Sequence, residues 1–230
     1  MSRYYYNLIA SMVKADPTDP LWNGLQAYYT ADNTPNDALG TYNGTLLNGG
    51  TYGTGIINQG FSLDGVNDYV SISPSLGDSF SAPDAAHSYS AWINANSVIG
   101  YKWISAVGGS DGRGTAMVIS NAELGFFYKG GSLVVTTGVA NLSTATWYHV
   151  VCAYDGAGTV SFYVNGSFVT SKTASWTQVA GSVYSNVGAH NTGAFFFNGL
   201  IDEAGFWNRE LTPSEVTELY NAGAAKQYPN

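Results

Sequence analysis

The chain has one cysteine, few charges and no long apolar run. Cys152 stands alone in the apolar stretch 148–154, so one chain builds neither a disulfide framework nor a cysteine metal cluster. It reads as a small buried hydrophobe. Only 10% of the 230 residues are charged, and the eight Lys and Arg are dispersed. Without a basic cluster to follow a phosphate backbone, nucleic acid is not an expected partner. Residues 7–13 are too short and interrupted for the apolar core of a secretory signal, and nothing approaches the ~20 apolar residues of a membrane helix. The expectation is a protein made in the cytosol, without a signal peptide and without membrane insertion. Histidines number three, His87, His149 and His190, and no Ser or Cys stands in a pattern that marks a nucleophile.

What is present is aromatic and turn-rich. Hydrophobic residues make up 45% of the chain, with 28 glycines and 17 tyrosines, the material of many short strands and tight turns. The net charge of −8 serves solubility and would suit a cation. Strand patterns cover 25–30, 61–63, 69–72, 88–94, 103–107, 115–120, 124–128, 133–137, 147–154, 159–164, 167–170, 183–188 and 195–207. Asn165-Gly166 between two alternating runs predicts a type I′ hairpin, because both residues tolerate positive φ. Turn-rich sequence follows the first of these strands, including Asn43-Gly44 and Gly49-Gly50. A helix is signalled after Thr212: an N-cap threonine, Pro213 at the first helical position, Glu215 three residues on, and Leu211 and Val216 at staple positions. Many antiparallel strands closed by one short helix predict an all-β, two-sheet jelly-roll sandwich.

Residues 1–20 differ from the rest. Tyr4, Tyr5, Tyr6, Leu8, Ile9, Met12 and Val13 form an aromatic and apolar arm, and Asp16-Pro17-Thr18-Asp19-Pro20 reads as a linker. The domain division is an anchoring arm at 1–20 and one domain at 21–230. Tyr4, Tyr5, Tyr6, Leu8 and Ile9 are the expected partner-binding residues.

Five stretches occur in order: GLQAYYTADNTPNDALGTYNGTLLNGG, GFSLDGVNDYVSI, YSAWINA, WYHVVCAYDGAGTVSFYVNG and FNGLIDEAGFWNRELTPSEVTELYNAG. Together they resemble the laminin-G-like and pentraxin-like domains of the concanavalin A-like lectin/glucanase superfamily, over about residues 21–223. The resemblance implies two antiparallel sheets of six or seven strands each. It also implies a choice among sugar binding, protein adhesion, a spacer role and, in some branches, glycan hydrolase or lyase chemistry. Fold alone does not choose among them.

Glycoside hydrolysis needs two carboxylates set across the scissile bond. Hydrolases of this fold carry alternating acids, Glu-x-Asp-x-x-Glu, and that pattern is missing. Asp202 and Glu203 are adjacent, so on a regular strand they point to opposite faces. Glu123 could join Glu203 only through the fold. The expectation is therefore no enzyme. Related domains often hold calcium, which takes six to eight oxygen ligands. Asp202, Asp64 and Asp32 are the ligand candidates for a structural Ca2+, beside Asp37 and Asp68. On an unbulged strand Asp202 shares the apolar face of Ala204 and Phe206, where a carboxylate must be paired, hydrogen-bonded or metal-bound. Two readings stand side by side: a calcium ligand, or an acceptor of N–H groups from a neighbouring loop.

Sugar recognition uses aromatic platforms beside amide and carboxylate groups. The ligand-binding candidates are Trp176, His190, Asn191, Tyr101 and Trp103, with Tyr128 and Phe195–Phe197 also available. The expected function is a non-enzymatic adhesion or recognition module for a host-surface glycan or protein. The expected setting is the virion surface of a phage, as a decoration, head-fibre or tail protein docked by residues 1–20. A glycan hydrolase or lyase of the same fold, or a ligand-free spacer, are the alternatives.

Overall fold

A computed structural model describes residues 18–77, 80, 85–109, 113–128, 132–135, 141–173, 183–190 and 195–229. The arm residues Tyr4, Tyr5, Tyr6, Leu8 and Ile9, and the ligand candidates Trp176 and Asn191, lie outside these described residues.

The strands in chain order are β1 (Leu25–Tyr29), β2 (Gly44–Leu47), β3 (Thr51–Thr54), β4 (Gln59–Asp64), β5 (Tyr69–Ile72), β6 (His87–Ala95), β7 (Tyr101–Gly109) and β8 (Arg113–Ser120). They continue as β9 (Glu123–Tyr128), β10 (Ser132–Val135), β11 (Trp147–Tyr154), β12 (Thr159–Val164), β13 (Ser167–Thr173), β14 (Val183–Val187) and β15 (Asn198–Trp207). One helix, α1 (Pro213–Tyr220), follows. The strands form two antiparallel sheets of a concanavalin A-like jelly-roll sandwich. One sheet runs β13-β12-β11-β6-β15-β4-β3, and the other β10-β9-β8-β7-β14-β5-β2. The first has eight strands rather than six or seven. Its ten-residue β15 pairs with β4 along 198–201 and with β1 along 204–207.

Alternation places one row of side chains from each sheet between the sheets. Phe61, Tyr89, Ile93, Phe126, Phe162, Phe197 and Phe206 are buried there. At about 1.5–3 kcal/mol for each large apolar side chain taken from water, this row dominates stability. A second cluster, Leu21, Trp22, Tyr28, Trp207, Leu211, Val216 and Leu219, fills the space under α1 on the outer face of the eight-stranded sheet. The Trp207 indole donates to the Leu21 carbonyl at 2.9 Å, and so ties the chain entry to β15.

Local chemistry fixes the ends of these elements. Thr212 and Glu215 exchange capping bonds, 3.4 Å from the Glu215 N–H to Thr212 Oγ1 and 2.7 Å from the Thr212 N–H to Glu215 Oε2. Arg209 holds the same carboxylate at 2.6 Å. The β12–β13 hairpin has φ of +50° at Asn165 and +73° at Gly166, as its turn type demands.

The register of β15 departs from the regular-strand expectation. Asp202 faces Trp92 and Gly205 faces Ser90, so one extra residue is bulged out between them. Glu203 takes φ +49° to accommodate it. Ile201, Ala204 and Phe206 all belong to the inter-sheet core. Asp202 therefore does not share the face of Ala204 and Phe206, because the bulge shifts the alternation by one. Both acids lie between two inward-facing residues.

Candidate functional site

One end of the sandwich gathers the turns 48–50, 65–68, 96–100 and 121–122. Strand ends placed opposite one another show it: Asn198 faces Asp64, Gly199 faces Ala95, and Tyr101 faces Ser120. The segment leading into β15 reaches the same end and is pinned to β7 by its backbone. The Trp103 N–H donates to the Phe195 carbonyl at 3.0 Å, and the Gly188 N–H to the Ile104 carbonyl at 2.9 Å.

From this end an aromatic strip runs down the outer face of the seven-stranded sheet. Trp103 packs on Phe127 at 5.1 Å and edge-on against His190 at 4.4 Å between ring centroids. His190 meets Tyr184 at 5.9 Å and Phe195 at 6.4 Å, and Phe195 meets Tyr101 edge-on at 5.9 Å. These are the separations at which aromatic rings attract one another. Trp103 is buried, with Ala106, Ala116 and Val118 around it. Tyr101 and Phe195 are 44% and 48% exposed, so the strip ends in two rings partly open to solvent. Ile99, two residues before Tyr101, is 78% exposed.

Of the five ligand candidates, the fold thus brings together Tyr101, Trp103 and His190. Phe127, Tyr184 and Phe195 complete the strip. Phe127 and Tyr184 alternate out of core strands, and alternation alone does not say which face is outward. Tyr128 is in the inter-sheet core instead. Burial lowers the His190 pKa, which favours the neutral imidazole. The depression beside Trp103, His190 and Tyr184 is shallow and too small to enclose a small molecule, so a ligand would lie on the strip rather than within it.

The acids form a separate cluster on the eight-stranded sheet. Asp202 Oδ2 accepts the N–H groups of Ile56 and Ile57 at 2.9 and 3.1 Å, and Oδ1 that of Glu203 at 2.9 Å. Asp32 accepts from the Gln59 N–H at 3.0 Å and the Asn58 amide at 3.1 Å. Gln227 Nε2 bridges Glu203 Oε1 at 2.7 Å and Asp32 Oδ2 at 3.2 Å. Burial pushes the Asp202 carboxyl up to about 7 against those three N–H groups, and burial followed by the Asp202 charge raises Glu203 well above its ordinary value. The Tyr28 hydroxyl donates to the Lys226 carbonyl at 3.1 Å, and Tyr228 packs on Trp22, so the C-terminal segment covers the pair. At 0% and 2% exposure the two acids are closed off from solvent.

Asp64 is elsewhere, at the far end of β4. Its Oδ1 accepts from Val66 and Asn67 at 2.7 and 3.3 Å, an Asx turn that suits Gly65 at φ +77°. The fold brings Asp32 to Asp202 but leaves Asp64 apart. Among the described residues, no group of three or more His, Cys, Asp or Glu is arranged to hold a metal ion. Glu123 and Glu203 belong to different sheets. His149 is a hydrogen-bonded core residue, 2.9 Å from Ser90 Oγ.

A family model of laminin-G type, described as concanavalin A-like lectin/glucanases superfamily, matches residues 64–217. The chain belongs to this superfamily. Comparison with curated proteins finds no sequence match. Among solved structures, domain 4 of AbnA, a GH43 extracellular arabinanase from Geobacillus stearothermophilus in complex with arabinotriose, is similar at TM-score 0.69 and 21% identity, over 88% of this chain and 98% of that one. The binding domain of Paraclostridial Mosquitocidal Protein 1 is similar at TM-score 0.65 and 16% identity, over 88% of this chain and 53% of that one. The botulinum neurotoxin serotype D binding domain gives 0.62 and 14%, over 86% and 52%. At these identities the likeness is one of fold, and the chain spans about half the length of the two toxin domains.

Proposed function

We propose that this superfamily member is a non-enzymatic recognition module that binds glycan on the aromatic strip. One observation carries the reading: Trp103, His190, Phe195 and Tyr101 form a continuous aromatic path that ends in two exposed rings at the loop-bearing end. Sugars present C–H faces to aromatic rings and hydroxyls to amides, and turn amides surround this end. The arabinotriose complex of a similar domain supports a carbohydrate ligand class, and the toxin binding domains support a recognition role. The sealed position of Asp202 and Glu203 supports a role without hydrolysis.

The proposed setting is the surface of a virion, with residues 1–20 as the docking arm. Its support is the run of tyrosines and aliphatic residues at 4–13, apolar for a segment ahead of a self-contained domain. Glycan-array binding by the full chain, weakened about fivefold to thirtyfold by Tyr101→Ala with an unchanged melting temperature, is the expected result, since an exposed aromatic contact carries on the order of 1–2 kcal/mol. Equal array signals for wild type and variant would reject the strip as the site. Loss of particle association on deleting residues 1–20 tests the setting.

A further inference from the structure

The chemistry of the loop end narrows the ligand class, given the glycan reading above. Exposed apolar groups there are Val66, Ile99, Tyr101 and Phe195. Beside them stand carboxamides. Asn121 Oδ1 accepts the Gly100 N–H at 3.0 Å, and the Asn96 amide donates to Asn198 Oδ1 at 3.1 Å. Each bond uses one side of an amide and turns the other to solvent. Among the described residues, Asn121 Nδ2 and Asn96 Oδ1 have no partner. Donor and acceptor are thus both on offer, which suits sugar hydroxyls because a hydroxyl is both.

The charges at this end are mostly negative. Asp64, Asp68 and Glu123 lie in or at the ends of these turns. The Asp64 carboxyl is held below its ordinary value by the N–H groups of its own turn, so it stays ionised at neutral pH. Among the described residues, Lys102 is the one cation on these turns and the strand ends that border them. It sits on β7 between Tyr101 and Trp103, and alternation sends it away from the face that carries those two rings. Arg209 and Lys226 are committed elsewhere, to Glu215 and to Asp19 and Glu218 around α1. A guanidinium or ammonium is the strongest partner for the carboxylate of a charged sugar. This one offers amides, rings and fixed negative charge.

We infer that this end of the sandwich selects an uncharged oligosaccharide over one that carries carboxylate groups. Like charge at the rim of a site weakens a carboxylated ligand by roughly a few-fold at low salt, and the penalty is screened within a Debye length at physiological ionic strength.

The test is calorimetric titration of the full chain with matched glycans, neutral and uronate- or sialic-acid-bearing, with arabinotriose among the neutral set, at low and at physiological salt. The expected result is tighter binding of the neutral partner, with a gap that narrows as salt rises. Asp64→Asn should strengthen the carboxylated ligand a few-fold and leave the neutral one unchanged. Tighter binding of the carboxylated partner, sensitive to Tyr101→Ala, would overturn the inference while leaving the glycan reading intact. Binding of neither class would remove the glycan reading itself. Concentration-dependent self-association abolished by Tyr101→Ala would assign the patch to a second copy of the chain and overturn both.

Discussion

The carbonyl of Phe195 accepts a hydrogen bond from the Trp103 N–H at 3.0 Å, so the exposed end of the aromatic strip is locked in register with its buried end. Phe195 achieves this at φ +62°. A bulky side chain in the left-handed region costs on the order of 1–3 kcal/mol and persists where the surroundings enforce it. Glycine adopts that conformation freely. Phe195→Gly should therefore keep the backbone bond and hold or raise the melting temperature. Removing the ring should weaken glycan binding about tenfold, since a well-placed aromatic contact carries on the order of 1–2 kcal/mol. Scanning calorimetry beside titration checks both halves. A destabilised variant with unaltered binding would show that the ring serves the fold alone.

Much of this arrangement is legible in the sequence. The helix cap is readable because Thr212, Pro213 and Glu215 act on one another locally. The β12–β13 hairpin is readable because Asn165-Gly166 carries its own backbone preference. Strands β2 and β3 are not: Gly44–Leu47 and Thr51–Thr54 are short, rich in Gly and Thr, and borrow their pairing from β5 and β4. The strand start at 195 fails for a related reason. Phe195 looks like strand by composition, but the left-handed turn there delays β15 to Asn198. Tyr101, Trp103 and His190 are legible as aromatic candidates, but their meeting is a tertiary event. The bulge at Glu203 has only a weak sequence signal, the isolated Gly205 at its edge, and it reverses the face assigned to Asp202.

The acid pair makes stability depend on pH in a definite sense. Glu203 has its folded pKa raised well above the unfolded value of 4.5. Above pH ~4.5 the unfolded chain releases a proton that the folded one retains, so stability falls as pH rises toward the folded pKa. Asp202 adds the same trend between its unfolded 3.8 and about 7. Each such proton contributes up to about 1.4 kcal/mol per pH unit. Glu203→Gln keeps the acceptor for Gln227 and removes one of the two protons. Its denaturation midpoint should exceed that of wild type at pH 8 and approach it at pH 5. An identical pH slope for the two proteins would show that Glu203 is ionised in the fold.

Two buried histidines act in the opposite sense. His87 lies between the sheets, 3.0 Å from Thr115 Oγ1, and its Nδ1 lies 2.8 Å from the Ala85 carbonyl. Burial lowers its pKa from 6.5 to about 4, and that of His149 from 6.5 to about 3. The unfolded chain takes up these protons first as pH falls below ~6.5, so their contribution to stability is lost down to about pH 4 and pH 3. For His87 alone the loss is on the order of 3 kcal/mol across that window. NMR titration of the imidazole signals should show His87 and His149 unprotonated at pH 5. A midpoint near 6.5 for either would place that ring in contact with water.

The β7–β8 hairpin gives a further handle on the strip. Gly114 faces Gly108 across the hairpin at φ +109°. A Cβ there would lie 2.1 Å from the Val107 carbonyl oxygen and 2.2 Å from Gly108 Cα. Both are backbone atoms of β7, so no side chain can swing aside, and the two strands must part. Overpacking of this kind costs about 1–3 kcal/mol. Gly114 also lines the depression beside Trp103 and His190, and β7 carries Tyr101 and Trp103. Gly114→Ala should lower the melting temperature by several degrees and weaken glycan binding, although position 114 contributes no group to a ligand. Gly77→Ala is the control: Gly77 also has positive φ, +74°, but its nearest atom to an added Cβ is 3.9 Å away. That variant should carry only the conformational cost of an alanine in the left-handed region and leave binding unchanged. Equal losses of affinity in the two variants would show that binding follows global stability rather than the alignment of the strip.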